Sequence, residues 1–157
     1  NCGGAWRIHW CYVSITKRVD ILVYPSIKRV NIAVIMKKIL LVEDEPALQE
    51  SFKTIFAGKG YQLLQAMDGE EGLTLMRATK PDLVLLDLVL PKKHGFEVLK
   101  EMKSDAELKN LPVIVLTNLE NSEDVEKALE LGTTTYLVKA NYSLEEIAQK
   151  VEEALKT

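Results

Sequence analysis

Four apolar runs in this chain each lead into a residue able to do chemistry. Ile39-Leu40-Leu41-Val42 leads into Glu43-Asp44-Glu45, Leu83-Val84-Leu85-Leu86 into Asp87, Val113-Ile114-Val115-Leu116 into Thr117, and Tyr136-Leu137-Val138 into Lys139. A single acid after an apolar run is ordinarily a turn former or a helix cap, and a single lysine there is ordinarily a solvated side chain. The set carries more meaning than its members. If Glu43, Asp44 and Asp87 converge, their like charges repel unless a proton or a cation intervenes, and an all-oxygen donor set favours a hard ion such as Mg²⁺. Mg²⁺ is commonly held by one or two carboxylates and completes its octahedron with water and phosphate oxygens, so such a trio suits the delivery of a phosphoryl group. Thr117 adds a hydroxyl donor and Lys139 an ammonium, which would neutralise the equatorial oxygens of that group during transfer. Asp87 is the carboxylate placed to accept it as a nucleophile.

These side chains meet only if the apolar runs lie side by side and point the same way. With Tyr61 to Ala66 there are five such runs, each about the length of a strand buried on both faces. Helical spacing fills the intervals. A first helix is predicted from Pro46 to about Gly58, with Asp44 or Glu45 placed to cap it, Pro46 in its first turn and Gly58 or Gly60 ending it. Its apolar stripe reads Leu48, Phe52, Ile55 and Phe56. Further helices are predicted over 69–79, 94–104, 122–131 closing at Gly132, and 143–156, where Ser143 and Glu146 form a capping box. Strand and helix in alternation at this spacing give a doubly wound α/β fold, a parallel sheet covered on both faces, because each crossover returns right-handed over the sheet. In such sheets the site lies beyond the carboxyl ends of the strands, where the four reactive residues or clusters fall.

The 157 residues suit one domain of ordinary size, and no apolar run is long enough to span a bilayer. Charge is unevenly spread: residues 1–35 hold Arg7, Lys17, Arg18, Lys28 and Arg29 against Asp20, a balance of +4, so the formal total of −3 leaves −7 on residues 36–157. An acidic body is a poor partner for a phosphate backbone, and direct nucleic-acid binding by residues 36–157 is not expected. Cys2 and Cys11 are the two cysteines, so no disulfide framework supports the acidic part, which fits a reducing cytosol. The first methionine is Met36, and the composition changes there. Trp6, Ile8, Trp10 and Tyr12 share one parity, and Ile21 to Tyr24 and Ile32 to Ile35 are two more strand-like runs, so a small β appendage is one reading of residues 1–35. The favoured reading is an N-terminal extension, non-native or an upstream in-frame translation, with no part in function. A secretory signal fits poorly, because basic residues interrupt every apolar stretch.

With these features in place, residues 36–157 resemble the receiver domain of two-component response regulators. Ile39 to Pro46 resembles that family's first strand with its acidic pair, and Pro81 to Pro91 the segment carrying the acceptor aspartate, followed by Gly95-Phe96-Glu97-Val98-Leu99. Thr117, Tyr136 and Lys139 fall on the remaining signature positions. The resemblance implies a flavodoxin-like sheet of strand order 2-1-3-4-5. It implies Mg²⁺ held by Glu43, Asp44, Asp87 and the backbone carbonyl of Val89, a phosphoryl group accepted on Asp87 and contacted by Thr117 and Lys139, and an aromatic switch at Tyr136 coupled to Thr117. The implied donor is a sensor histidine kinase or phosphotransfer protein, and the implied output a downstream protein target. A stand-alone cytoplasmic receiver is expected, monomeric or weakly dimeric, not inserted in a membrane. It is expected to be no enzyme beyond assisting its own phosphorylation and dephosphorylation. The chain stops soon after the fifth helix, so signalling by binding is the expected output.

Two departures from the family pattern matter. Lys139 is followed by Ala140 where the family has proline, often after a cis bond; cis before alanine costs about 3 to 4 kcal/mol, so a trans bond is expected. His94 stands where an aspartate is common, and it is read as a substitute helix cap with no role in phosphotransfer. Val89 and Leu119, two residues beyond Asp87 and Thr117, are apolar where polar groups would orient an attacking water, which predicts slow self-dephosphorylation. A flavin protein of like topology would need a small-residue phosphate loop where this chain has Glu43-Asp44-Glu45-Pro46. A hydrolase with an acidic nucleophile would need a second acid near Asp87, which Leu88-Val89-Leu90 does not offer. The stronger alternative is a degenerate receiver that keeps the acidic pocket but acts only as a non-phosphorylated interaction module.

Overall fold

In the computed structural model, which describes residues 36–156, strand and helix alternate five times. The strand-like runs of residues 1–35 lie outside the described residues; Met36–Thr157 forms a compact unit by itself. The strands are β1 (Lys38–Val42), β2 (Gln62–Ala66), β3 (Leu83–Leu86), β4 (Val113–Thr117) and β5 (Thr135–Val138). The helices are α1 (Pro46–Gly58), α2 (Gly69–Thr79), α3 (Gly95–Ser104), α4 (Ser122–Glu130) and α5 (Leu144–Lys156). All four strand pairings are parallel, in the order β2-β1-β3-β4-β5, the doubly wound arrangement expected from the alternation.

Residue parity splits the core into two layers, because successive strand side chains face opposite sides of a sheet. Leu40, Val42, Val84, Leu86, Val113 and Val115 pack with Leu73 and Met76 of α2, Val98, Leu99 and Met102 of α3 and Ala128 of α4. Ile39, Leu41, Leu83, Leu85, Ile114 and Leu116 pack with Phe52 and Phe56 of α1 and Ile147, Val151 and Leu155 of α5. Only β1, β3 and β4 have the two-sided burial read from the apolar runs. β2 and β5 close the sheet at its edges, where one flank has no strand partner among the described residues, and both are only partly buried.

The helix ends follow local chemistry. Asp68 caps α2 by accepting from the Glu71 N–H at 2.9 Å, and Asn121 caps α4 by accepting from the Asp124 N–H at 2.9 Å. Ser143 and Glu146 make the predicted reciprocal cap before α5. Glu45 occupies the cap position of α1, but its side chain makes no cap hydrogen bond; Pro46 lacks one of the N–H groups that would have needed a partner. Gly60 (φ +78°) and Gly132 (φ +81°) adopt the left-handed turn conformation that glycine tolerates, just after α1 and α4. Among the described residues, no helix is long and apolar enough to cross a membrane.

Candidate functional site

Because the strands are parallel, their carboxyl ends share one rim, and register decides which side chains meet there. Val42 pairs with Leu86, so Glu43 and Asp87 leave neighbouring strands side by side; Thr117 pairs with Val138, which brings Lys139 next to them. Glu43, Asp44 and Asp87 each offer a carboxylate oxygen, all within 4.8 Å of one another. Glu43 and Asp87 are buried and Asp44 is exposed, so the trio has one wet side. Thr117 is fully buried at the end of β4, with its hydroxyl oxygen 3.5 Å from the Leu119 N–H.

The Lys139 ammonium lies 2.6 Å from Asp87 Oδ2 and 2.6 Å from Glu43 Oε2. Only the Asp87 contact has hydrogen-bond geometry, so Glu43 Oε2 is buried with a charge beside it and no hydrogen bond. Burial pushes the Glu43 carboxyl above its usual range; Lys139 pulls it down and the Asp87 charge pushes it up again. Burial by itself would lower the Lys139 ammonium, but the two carboxylates overcome that and raise it. The two shifts favour opposite things: the carboxylates favour charge on the lysine, whereas burial favours neutrality on Glu43, which shares its one cation with Asp87. The site is short of positive charge, and its donors are hard oxygens; a divalent ion such as Mg²⁺ fits that shortage.

The peptide between Lys139 and Ala140 is trans, as expected, and Lys139–Asn141 forms a short 3-10 turn that still delivers the lysine to the pocket. Asp87 Oδ1 accepts from the Val89 N–H at 3.0 Å, fixing the carboxylate at both oxygens. Val89 itself is 52% exposed. Gly95 closes the loop behind the aspartate: a Cβ there would lie 2.4 Å from the Asp87 carbonyl oxygen, too close for any other residue without a backbone shift. His94 takes the cap position of α3, where the Glu97 carboxylate accepts from its N–H at 3.1 Å. Tyr136 is half-buried on β5 and its hydroxyl donates to the Leu119 carbonyl at 2.9 Å, across the loop that follows Thr117. Burial, then the charges of Asp124 and Asp87, raise its phenol.

Of the seven residues read from sequence as site members, Glu43, Asp44, Asp87, Thr117 and Lys139 lie at or next to the carboxyl ends of the strands, Val89 lies in the loop after β3, and Tyr136 lies within β5. Sequence reasoning missed Gln49, whose amide holds the backbone beneath Glu43, and the pair of Asp68 and Lys92, which ties the loop after β3 to the start of α2. Gln49 carried a signal. It stands three residues before Phe52 and seven before Phe56, on the buried face of α1, where a polar side chain needs a reason.

The family described as response regulator receiver domain matches residues 39–152. The chain belongs to this family. Its sheet order and layers are those of the flavodoxin-like receiver fold. Among curated relatives, the transcriptional regulatory protein CiaR of Streptococcus pneumoniae is 42% identical over 124 residues, which is 77% of this chain and 52% of that protein. Protein PilH of Pseudomonas aeruginosa is 35% identical over 104 residues, 66% of this chain and 86% of that protein. Among solved structures, the Mn²⁺-bound form of response regulator Rcp1 is 35% identical with a TM-score of 0.67, covering 74% of this chain and 92% of that one. The chain spans about half the length of several of the curated regulators it matches. Phosphorylation and Mg²⁺ are typical of receivers, and the acidic pocket of this one consists of Glu43, Asp44 and Asp87.

Proposed function

We propose that this receiver accepts a phosphoryl group on Asp87 in a Mg²⁺-dependent step and thereby changes which protein it binds. The observation that carries the proposal is the charge shortage of the pocket: two buried carboxylates share one lysine, a third stands alongside, and a buried Glu43 oxygen lacks a hydrogen bond. Glu43, Asp44, Asp87 and the Val89 carbonyl would hold the ion, as a homologous receiver is found with Mn²⁺ bound. When bound, the ion supplies positive charge against the phosphoryl oxygens.

An Asp87 carboxylate oxygen forms a bond to phosphorus, the bond from phosphorus to the donor's leaving group breaks, and that group departs with the electron pair. Lys139 stays within reach of the oxygens that gain charge, and Thr117 offers its hydroxyl from the adjacent strand end. The donor would be a sensor histidine kinase or a phosphotransfer protein. The chain would catalyse only its own phosphorylation and dephosphorylation. Withdrawal of the Thr117 hydroxyl towards the phosphoryl group would free space for the Tyr136 ring to leave the Leu119 carbonyl, altering the face built from α4, β5 and α5. The acidity of residues 36–157 favours a protein target for this body over direct contact with nucleic acid. Cytoplasmic placement follows from such partners.

Incubation with acetyl phosphate and Mg²⁺, read by intact mass, should add about 80 Da, one phosphoryl group. No added mass in the wild type, or mass still added to Asp87→Ala, would reject the reading. Exposed Val89 and apolar Leu119 leave no polar side chain at those positions to orient a water, so the aspartyl phosphate should persist. Decay within seconds in Mg²⁺ would contradict that.

A further inference from the structure

We infer that Gln49 is a positioning residue for the acidic loop, holding the peptide from which Glu43 and Asp44 project; the inference rests on the metal-assisted reading above. Gln49 Nε2 donates to the Glu43 carbonyl at 2.5 Å and to the Ala66 carbonyl at 3.0 Å, both within the buried interior. Two carbonyl oxygens are acceptors only, so the amide must present its NH₂ to them, one proton to each. Ala66 O also accepts from the Glu43 N–H at 3.0 Å. The Glu43 residue is therefore held through its N–H by the end of β2 and through its C=O by the first turn of α1. Gln65 of β2 in turn donates to the Gln49 carbonyl at 3.0 Å, fastening that turn to the sheet edge.

This bracing sits where the paired ladder stops. Val42 and Ala66 are the last paired residues of β1 and β2, and the next side chains along the chain are the two adjacent acids. Glu45 adds no side-chain cap, so the loop is tied to α1 through the Gln49 backbone N–H to Glu45 O at 3.1 Å and through the Gln49 amide. Groups that orient metal-binding side chains without touching the metal commonly change affinity by about ten- to a hundredfold when removed.

The experiment is Mg²⁺ titration of the full chain by calorimetry, alongside the Mg²⁺ dependence of acetyl phosphate labelling. Gln49→Met keeps the length of the side chain and removes both donors. Its Mg²⁺ Kd should rise about tenfold. The Mg²⁺ concentration for half-maximal labelling should rise by the same factor, while the rate at saturating Mg²⁺ stays close to wild type. Phe52→Leu, which loosens the same buried face of α1 without touching either carbonyl, should leave Kd unchanged. An unchanged Kd in Gln49→Met, or an equal rise in Phe52→Leu, overturns the inference. If Gln49→Met does not fold, Gln49→Asn takes its place: it retains the NH₂ but withdraws it by one methylene, and an unchanged Kd there overturns the inference equally. A wild type that binds no Mg²⁺ removes the parent reading along with this one, whereas wild-type binding that Gln49→Met leaves unmoved removes this one alone.

Discussion

At the amino end of the sheet, the Asp82 carboxylate accepts from the Lys38 N–H at 2.7 Å, and the Lys38 ammonium reaches the Thr79 carbonyl at 3.2 Å. Lys37 likewise reaches the Leu155 carbonyl at the end of α5. At the carboxyl end, Glu43 and Asp87 press on a single ammonium, each at 2.6 Å. The first arrangement gives each charge a backbone partner and leaves Asp82 in water, where solvent screens what the partner does not satisfy. The second removes two carboxylates from water and supplies one cation for both. One end fastens strands to helices; the other holds an unmet demand for positive charge, and that difference marks where chemistry belongs even though the two ends carry similar residue types.

The largest test of this contrast is Lys139→Met. Leaving two buried carboxylates without their shared cation should cost about 3 kcal/mol in buffer free of divalent ions, read by urea unfolding. Millimolar Mg²⁺ should restore much of the loss; equal stability with and without Mg²⁺ would erase the distinction between the two ends. Asp82→Asn at the amino end should cost less than about 1 kcal/mol, with no dependence on Mg²⁺. A larger or Mg²⁺-sensitive loss would mean that the amino end is not the passive one.

The smallest effect sharpens the contrast within the carboxyl end itself. Asp68 is also buried there, yet its carboxyl lies below its usual range, first because it accepts from the Glu71 N–H and then because Lys92 pairs with it. A carboxyl lowered by folding stabilises the fold above its ordinary titration range and loses that contribution as pH falls through the depressed value. Asp68→Asn keeps an acceptor for the helix cap but cannot titrate. Its small deficit against wild type should therefore shrink as pH drops below about 4, followed by thermal melts. A gap that stays constant through that range would show that the Asp68 charge contributes nothing.

Much of this was legible because parallel sheets make sequence unusually informative. An apolar run followed by a polar residue locates a strand's carboxyl end, and the fold then assembles those ends without further instruction. So Glu43, Asp87, Thr117 and Lys139 are readable together, and the approximate bounds read for α1 and α2 and the run read for β3 agree with the structure. What escaped detection depends on edges and on contacts between loops. The strand runs alone did not show that β2 and β5 would lie at the margins and stay partly open. The apolar stripe of α1 was read through Leu48 and Ile55, which are only partly buried, while Gln49 took an inner position because two carbonyls there need donors. Asp68 and Lys92 are 24 positions apart, and no local pattern announces that Lys92 will turn back through a left-handed conformation to meet the acid.

Every reactive side chain here is carried by a strand tip or the loop just after it, and none by the outward surface of a helix. Glu50, Lys53 and Thr54 on the exposed side of α1 are not part of the acidic pocket. On the proposed reading, recognition and reaction are inherited separately: a lineage that rewrites the helical exterior changes its correspondents while the inner apparatus is copied unaltered.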